Sequence, residues 1–183
     1  MKLIKIAAVS ACLALLAVPS SAAQWAKPQS PVIPAASGYI PIPNAAVMPE
    51  AGHVYKAVYD ATHVPDQPTQ ILPALDMAGS ELNLFGALGF PLKNVKFAIV
   101  FHGAALDGIL DDAHYRAKYK VGNPNLKALA QLKKAGVEMF VCGQNLAALD
   151  IAPKAVVPEV KIALDALVVL MAYQNNGYSL LSF

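Results

Sequence analysis

The segment that decides the fold comprises residues 95–103 and reads VKFAIVFHG. Its first seven residues are nearly all apolar, and His102-Gly103 stops the run. A short, continuously apolar run that ends at a turn signal is typical of a strand buried on both faces, as the central strands of parallel sheets are. The sequence therefore predicts a central parallel strand over residues 95–101.

Outward from this strand, predicted strands and helices alternate. Residues 54–60 carry a two-residue alternation of β-rich composition, and residues 74–88 carry apolar side chains at helical spacing. Farther along, Asn123 and Pro124 form a helix start signal, and Gly136 and Gly177 are stop signals. We predict strands at 54–60, 95–101, 137–141, 160–163 and 178–183, and helices at 74–88, within 107–119, at 123–136, from 145 and at 165–176.

Alternation of this kind, with tight glycine-containing turns, indicates βαβ units and a sheet covered on both faces. We therefore expect an α/β fold, a three-layer α/β/α sandwich with a mostly parallel sheet of about five strands.

The amino end has the layout of a secretory signal peptide over residues 1–23. Lys2 and Lys5 precede the apolar run 6–18, and small residues follow it at 20–23. That run is shorter than the roughly 20 residues that a retained membrane anchor needs, so no membrane span is expected. The sequence predicts a periplasmic or secreted protein of about 160 residues, one domain in size. Lipidation at Cys12 is the less favoured alternative, because the apolar stretch before it is short.

Residues 24–50 are rich in Pro and Ala and are predicted to form an extended arm ahead of the domain at 51–183. Two interpretations of the arm stand side by side. It is a disordered spacer, or Trp25, Tyr39 and Ile40 dock it on its own domain or on a neighbouring subunit. The lack of a periodic pattern favours a spacer for the first half.

Charge and motifs exclude several classes of function. The chain has 14 basic and 12 acidic residues, and loss of Lys2 and Lys5 with the signal leaves the two equal. With Arg116 as the single arginine and no lysine-rich block, nucleic-acid binding is excluded. The histidines at 53, 63 and 114 lack metal-ligand spacing, so no metal is predicted. No phosphate-binding or dinucleotide motif is present either, so no cofactor is predicted.

The chemistry is expected at the carboxyl ends of the strands, where ligands bind in open α/β sheets. His102 follows one central strand and Cys142 follows the next, and Cys142 is the one cysteine left after the signal. No internal disulfide is then possible, so the thiol is buried, paired between chains or used. Gly143 lets backbone amides approach a ligand, and Gln144-Asn145 can open a helix whose positive end favours the thiolate. The competing interpretations are a small buried apolar group for Cys142 and a loop-capping residue for His102.

Three segments together resemble the DsrE/DsrF-like family in its secreted branch: residues 97–106 with the His-Gly turn, residues 141–146 with the cysteine turn, and residues 167–178 with the last helix and strand. The resemblance covers about 52–183. It implies an α/β sandwich that forms homo-oligomers and, as in sulfur-relay members, a cysteine that carries sulfur as a persulfide. Cys142 would be that cysteine. His102 matches a motif position without a defined role, and relay members work in the cytoplasm, whereas this chain carries an export signal.

Two hypotheses follow. In the first, the protein handles sulfane sulfur or thiols. Cys142 is then the nucleophile with His102 beside it, Gly103, Gly143, Gln144 and Asn145 form the ligand-binding turn, and a sulfane-sulfur donor and an acceptor thiol are the partners. Whether such a sulfurtransferase-like carrier turns over stays open. In the second, the chain is a non-catalytic, oligomeric small-ligand-binding or assembly module, consistent with its 56% hydrophobic content.

Overall fold

In a computed structural model, which describes residues 25–183, the protein is built on one five-stranded sheet. All strands run parallel, in the order β4-β3-β2-β1-β5. The predicted α/β class and the number of strands are confirmed. The strands are β1 (Tyr55–Ala61), β2 (Val95–Phe101), β3 (Glu138–Cys142), β4 (Lys161–Ala163) and β5 (Ser179–Ser182), and the helices are α1 (Pro73–Ala87), α2 (Asp112–Tyr119), α3 (Leu126–Lys134), α4 (Gly143–Ala148) and α5 (Ala166–Asn175).

The predicted signal peptide at 1–23, together with the alternative lipidation site at Cys12, lies outside the described residues. From residue 25 onward, no helix is long and apolar enough to cross a bilayer.

Strand β2 is central, as its composition predicts, and its side chains divide between two cores. Phe97, Ile99 and Phe101 point into the larger core, which also receives apolar side chains from α1 and α3. Ala98 and Val100 point into the smaller core under α5. The alternation of side chains along a strand produces this division. The larger core is hereafter the α1 face of the sheet, and the smaller one is the α5 face.

The arm is docked rather than a free spacer, which corrects the expectation for its first half. Ile33 is fully buried in the α1 face. The Asn83 side chain of α1 accepts hydrogen bonds from Val32 N and Ile33 N, at 3.0 and 2.8 Å, and donates to Ile33 O and Ser37 O. The predicted anchor Trp25 is instead exposed. Gln131 and Asp76 also accept hydrogen bonds from the arm, at Ala35 N and Ser37 N. The sequence of the arm shows no periodicity because one buried apolar residue and a few polar side chains of the domain hold it.

Two glycines of α1 make room for the arm. A Cβ added at Gly79 would lie 2.3 Å from Ala36 Cβ, and one added at Gly86 would lie 2.3 Å from Val32 Cγ2. Positions 79, 83 and 86 recur at helical spacing and therefore share one side of α1. The same side thus supplies both the close approach and the Asn83 hydrogen bonds.

Helix α3 begins later than the sequence predicts. Asn123 does not cap it, because its side-chain amide donates to Gly108 O and Leu110 O, and its side-chain oxygen accepts from Asn125 N at 2.9 Å. A buried asparagine satisfies its polar atoms wherever backbone partners exist. Two of those partners, Gly108 O and Leu110 O, lie in the segment between β2 and α2, so the helix starts at Leu126.

Candidate functional site

Three polar side chains lie side by side where strands β1, β2 and β3 end. The paired positions Ala61↔Phe101 and Phe101↔Val141 fix the register at this edge. Asp60 precedes Ala61, while His102 and Cys142 each follow one of the other two residues. Since side chains alternate and Phe101 and Val141 point into the α1 face, these three belong to the opposite, α5 face.

His102 is oriented by Asp60. Its Nε2 lies 2.5 Å from Asp60 Oδ1, and each side chain is about one-fifth exposed. The backbone of His102 is extended and its N–H donates to Ala61 O. A carboxylate only accepts hydrogen bonds, so Nε2 holds the proton, and in the neutral imidazole Nδ1 is the acceptor.

Cys142 is the last residue of β3, and its side chain is only 4% exposed. The prediction that it follows the strand is therefore wrong: Cys142 pairs with Ala163 of β4 and packs in the α5 face. Its thiol donates to Asp165 Oδ2 across 3.9 Å. Within the described part of the chain it is the one cysteine, and it is free.

Asp165 links the thiol to helix α5. Its Oδ1 accepts from Leu167 N at 2.7 Å and from Val168 N at 3.4 Å, which caps the amino end of the helix. The carboxylate therefore has one oxygen on the helix and one on the thiol. Movement of the start of α5 would therefore expose the thiol and break its hydrogen bond to Asp165 at the same time.

The turn after β3 is held by its own polar groups. Gly143 is required by close packing, since a Cβ there would lie 2.5 Å from Ala163 O. Gln144 Nε2 donates to Leu164 O at 3.3 Å, and Asn145 Oδ1 accepts from Gly103 N at 2.9 Å. The four residues predicted to bind a ligand are thus near Cys142 and His102, but in this state the Gly103 N–H and the side chains of Gln144 and Asn145 form hydrogen bonds within the protein.

Sequence reasoning missed both aspartates of the site. The sequence signal for Asp60 is the alternation of side chains along β1, which places it near the strand end on the face that His102 and Cys142 share. The signal for Asp165 is that it opens a predicted helix, a position where Asp caps. Among residues 25–183, no three His, Cys, Asp or Glu side chains come together in a group that could hold a metal ion.

The fold and the site define a parallel α/β domain with a buried cysteine at the carboxyl edge of the sheet. The model of the DsrE/DsrF-like family matches residues 62–183. The chain belongs to the DsrE/DsrF-like family, as its motifs predict. No curated protein matches.

Two solved structures share the fold. The protein of unknown function MTH1491 from Methanobacterium thermoautotrophicum is 16% identical with a TM-score of 0.51, and the match covers 70% of this chain and 99% of that one. The ychN protein from E. coli is 18% identical with a TM-score of 0.50, over 71% of this chain and 100% of that one. At such identities the likeness concerns the fold.

Proposed function

We propose that the protein handles sulfane sulfur or thiols through Cys142, which carries the sulfur as a persulfide. The observation that carries the proposal is the position of the thiol. It lies at the strand edge where this class of sheet binds ligands, beside a histidine that a carboxylate orients. Membership in the family supports the proposal.

The transfer needs no oxidant. The Cys142 thiolate attacks the outer sulfur of a donor such as thiosulfate, the new S–S bond forms, the donor's S–S bond breaks, and sulfite leaves with the electron pair. An acceptor thiolate then attacks the outer sulfur of the Cys142 persulfide and restores the cysteine thiolate. The thiol proton passes to Nδ1 of His102, which the Asp60 hydrogen bond leaves as an acceptor.

Access to the thiol requires a local movement. Cys142 is 4% exposed, whereas Leu164 and Leu167, which flank Asp165, are 75% and 60% exposed. These two side chains gain little from packing in this state, so the start of α5 is the least costly part of the cover to displace. We expect this end of α5 to move away transiently and expose Cys142 to a small donor such as thiosulfate.

The test is incubation of purified protein with thiosulfate or polysulfide, followed by peptide mass spectrometry. One added sulfur, about 32 Da, is expected on the peptide with Cys142, and none in a Cys142→Ala variant. Absence of the adduct, together with a thiol that resists alkylation in the native protein, contradicts the proposal.

We further propose that the protein works outside the cytoplasm, on the basis of the signal-peptide pattern in residues 1–23. Amino-terminal sequencing of protein recovered from the periplasm or medium is expected to begin near residue 24. Recovery of the intact amino terminus in the cytoplasm contradicts export.

A second candidate function, assembly into a homo-oligomer, rests on the outer side of α5. Leu167, Val168 and Met171 are 60%, 49% and 56% exposed on one short helix, and exposed apolar groups of this kind mark association sites. Light scattering is expected to report an oligomer that a Met171→Asp variant dissociates. The control is Val47→Asp, at an apolar residue that is 88% exposed on the arm.

The Cys142→Ala variant separates the two candidates. A sulfur carrier loses sulfur uptake and keeps its assembly. A protein that only assembles is expected to keep its oligomeric state in the Cys142→Ala variant, with no sulfur uptake to lose.

A further inference from the structure

A cavity of about 240 Å³ lies on the α1 face, on the opposite side of the sheet from Cys142. It opens between helix α1, strand β1 and the edge strand β5. The registers Ala57↔Ser179 and Tyr59↔Leu181 place its floor on adjacent strands. Aromatic and aliphatic side chains form most of the wall, among them Tyr55, Met77, Phe85, Phe97 and Phe183.

Tyr59 contributes an unsatisfied hydroxyl to this cavity. The residue is 1% exposed, and its Oη has no hydrogen-bond partner among the described residues. Its ring is held edge-on to Phe97, with centroids 5.3 Å apart. Buried hydroxyls nearly always have a partner, so an unpaired one beside a cavity indicates a missing polar group.

Glu81 provides the charge. It lies in the wall, half-buried, and it forms no ion pair within residues 25–183. Burial raises the pKa of its carboxyl. An opposite charge in the cavity would relieve that penalty.

The lysine beside the cavity does not supply that charge. Lys56 Nζ donates to Asn176 O at 3.2 Å and lies 5.6 Å from the centre of the Tyr178 ring, which packs on the α5 face. Lys56 therefore lines the cavity while its ammonium group is bound elsewhere. The cavity therefore combines one carboxylate, one free phenol and several aromatic rings, which are the groups that hold an organic cation.

We propose that this cavity binds a small organic ammonium ligand, with the cation at Glu81 and Tyr59 and an apolar body among the aromatic side chains. The volume is below the roughly 300–1,000 Å³ of cavities for drug-sized ligands, so the body is the size of one ring or a short aliphatic chain. This site is independent of sulfur transfer, because it lies on the other side of the sheet.

The experiment is a titration of the isotope-labelled protein followed by amide NMR shifts, with three probes of one shape. Phenylethylammonium carries the charge, 2-phenylethanol is neutral, and phenylacetate is an anion. The ammonium is expected to shift the amides of Tyr59, Glu81 and Leu181, and to bind about tenfold more tightly than the alcohol, the effect of one charge-assisted hydrogen bond.

Glu81→Gln is expected to abolish the preference for the ammonium, while the matched Glu159→Gln keeps it. Tyr59→Phe removes an unpartnered hydroxyl without opening a void, so it folds, and it is expected to weaken the binding of the ammonium and the alcohol alike. Sulfur uptake at Cys142 is expected to be unchanged in all three variants, which separates this proposal from the proposed function.

Several results would overturn the proposal. One is the absence of shifts at the cavity up to about 10 mM of the ammonium, which is the limit of weak binding. Another is equal affinity for the ammonium and the anion, and another is a preference for the ammonium that survives in Glu81→Gln. Cavity shifts that follow protein concentration without ligand would also overturn it, because a second copy would then be the occupant.

Discussion

The thiol of Cys142 donates a hydrogen bond to the carboxylate of Asp165, with Sγ and Oδ2 3.9 Å apart, and the other carboxylate oxygen caps helix α5. One side chain thus binds the thiol and caps the helix that covers it. In this state the cysteine is protected. Reaction at the sulfur requires that the thiol leave Asp165 and that this end of α5 move aside.

Replacing Asp165 by Asn is expected to accelerate alkylation of Cys142 by iodoacetamide, because a neutral amide oxygen holds the thiol hydrogen bond less strongly than a carboxylate does. Asn caps helices about as well as Asp, so the free energy of unfolding is expected to change little. Asp165→Ala also loses the cap and is expected to cost about 1 kcal/mol. If the Asn variant reacts no faster than the wild type, the carboxylate does not control the thiol.

Replacing His102 by Ala is expected to slow persulfide formation about tenfold or more, since the proton acceptor is lost. Asp60→Asn is expected to slow it less, because the imidazole remains but loses its charged partner. Stopped-flow release of sulfite from thiosulfate measures both rates. His63→Ala, at an exposed histidine whose ring forms a hydrogen bond with Thr62, is the control. Equal rates in the His102 and His63 variants would remove His102 from the mechanism.

Much of the fold follows from the sequence, and the reasons differ by element. Strand β2 is predicted residue for residue because a buried parallel strand leaves a continuous apolar run. The start of α3 is predicted too early because the Asn123 side chain donates to Gly108 O and Leu110 O, which lie 15 and 13 residues earlier in the sequence.

The candidate site is likewise predictable from the sequence only in part. The rule that ligands bind at the carboxyl ends of parallel strands identifies His102 and Cys142 from the sequence. It does not reveal that the thiol is buried or that it contacts Asp165, because both depend on how α5 folds back over the sheet. The docking of the arm depends on Asn83, 50 residues from Ile33.

Replacing Asn83 by Ala is expected to lower the free energy of unfolding by about 3 kcal/mol. Four hydrogen bonds to the arm are lost, and the buried Ile33 N–H is left unpaired. Urea unfolding measures the change, and proteolysis of the arm is expected to accelerate. Asn175→Ala, at an exposed residue of α5, is the control. A loss no larger than in that control would mean that the Asn83 hydrogen bonds do not hold the arm.

Glu81 is expected to make stability fall as the pH rises above its unfolded pKa. Burial raises the pKa of this carboxyl above its usual 4.5, so between the two values the folded protein binds more protons than the unfolded chain. The stabilising contribution of the protonated form is complete below the unfolded pKa and is lost as the pH rises through the folded pKa. Urea unfolding from about pH 4 to 7 is expected to show this loss in the wild type and a flatter profile in Glu81→Gln. If the free energy of unfolding varies with pH in the same way in both proteins, the Glu81 carboxyl is not desolvated by burial.

The account rests on Cys142 as a sulfur carrier, and the most direct measurement is the intact mass and peptide map of the native protein after exposure to thiosulfate or polysulfide. The account predicts one sulfur, about 32 Da, located at Cys142, removed by an acceptor thiol and faster to form in Asp165→Asn. A protein that stays unmodified under these conditions, with Cys142 also closed to alkylation in the Asp165→Asn variant, would contradict it.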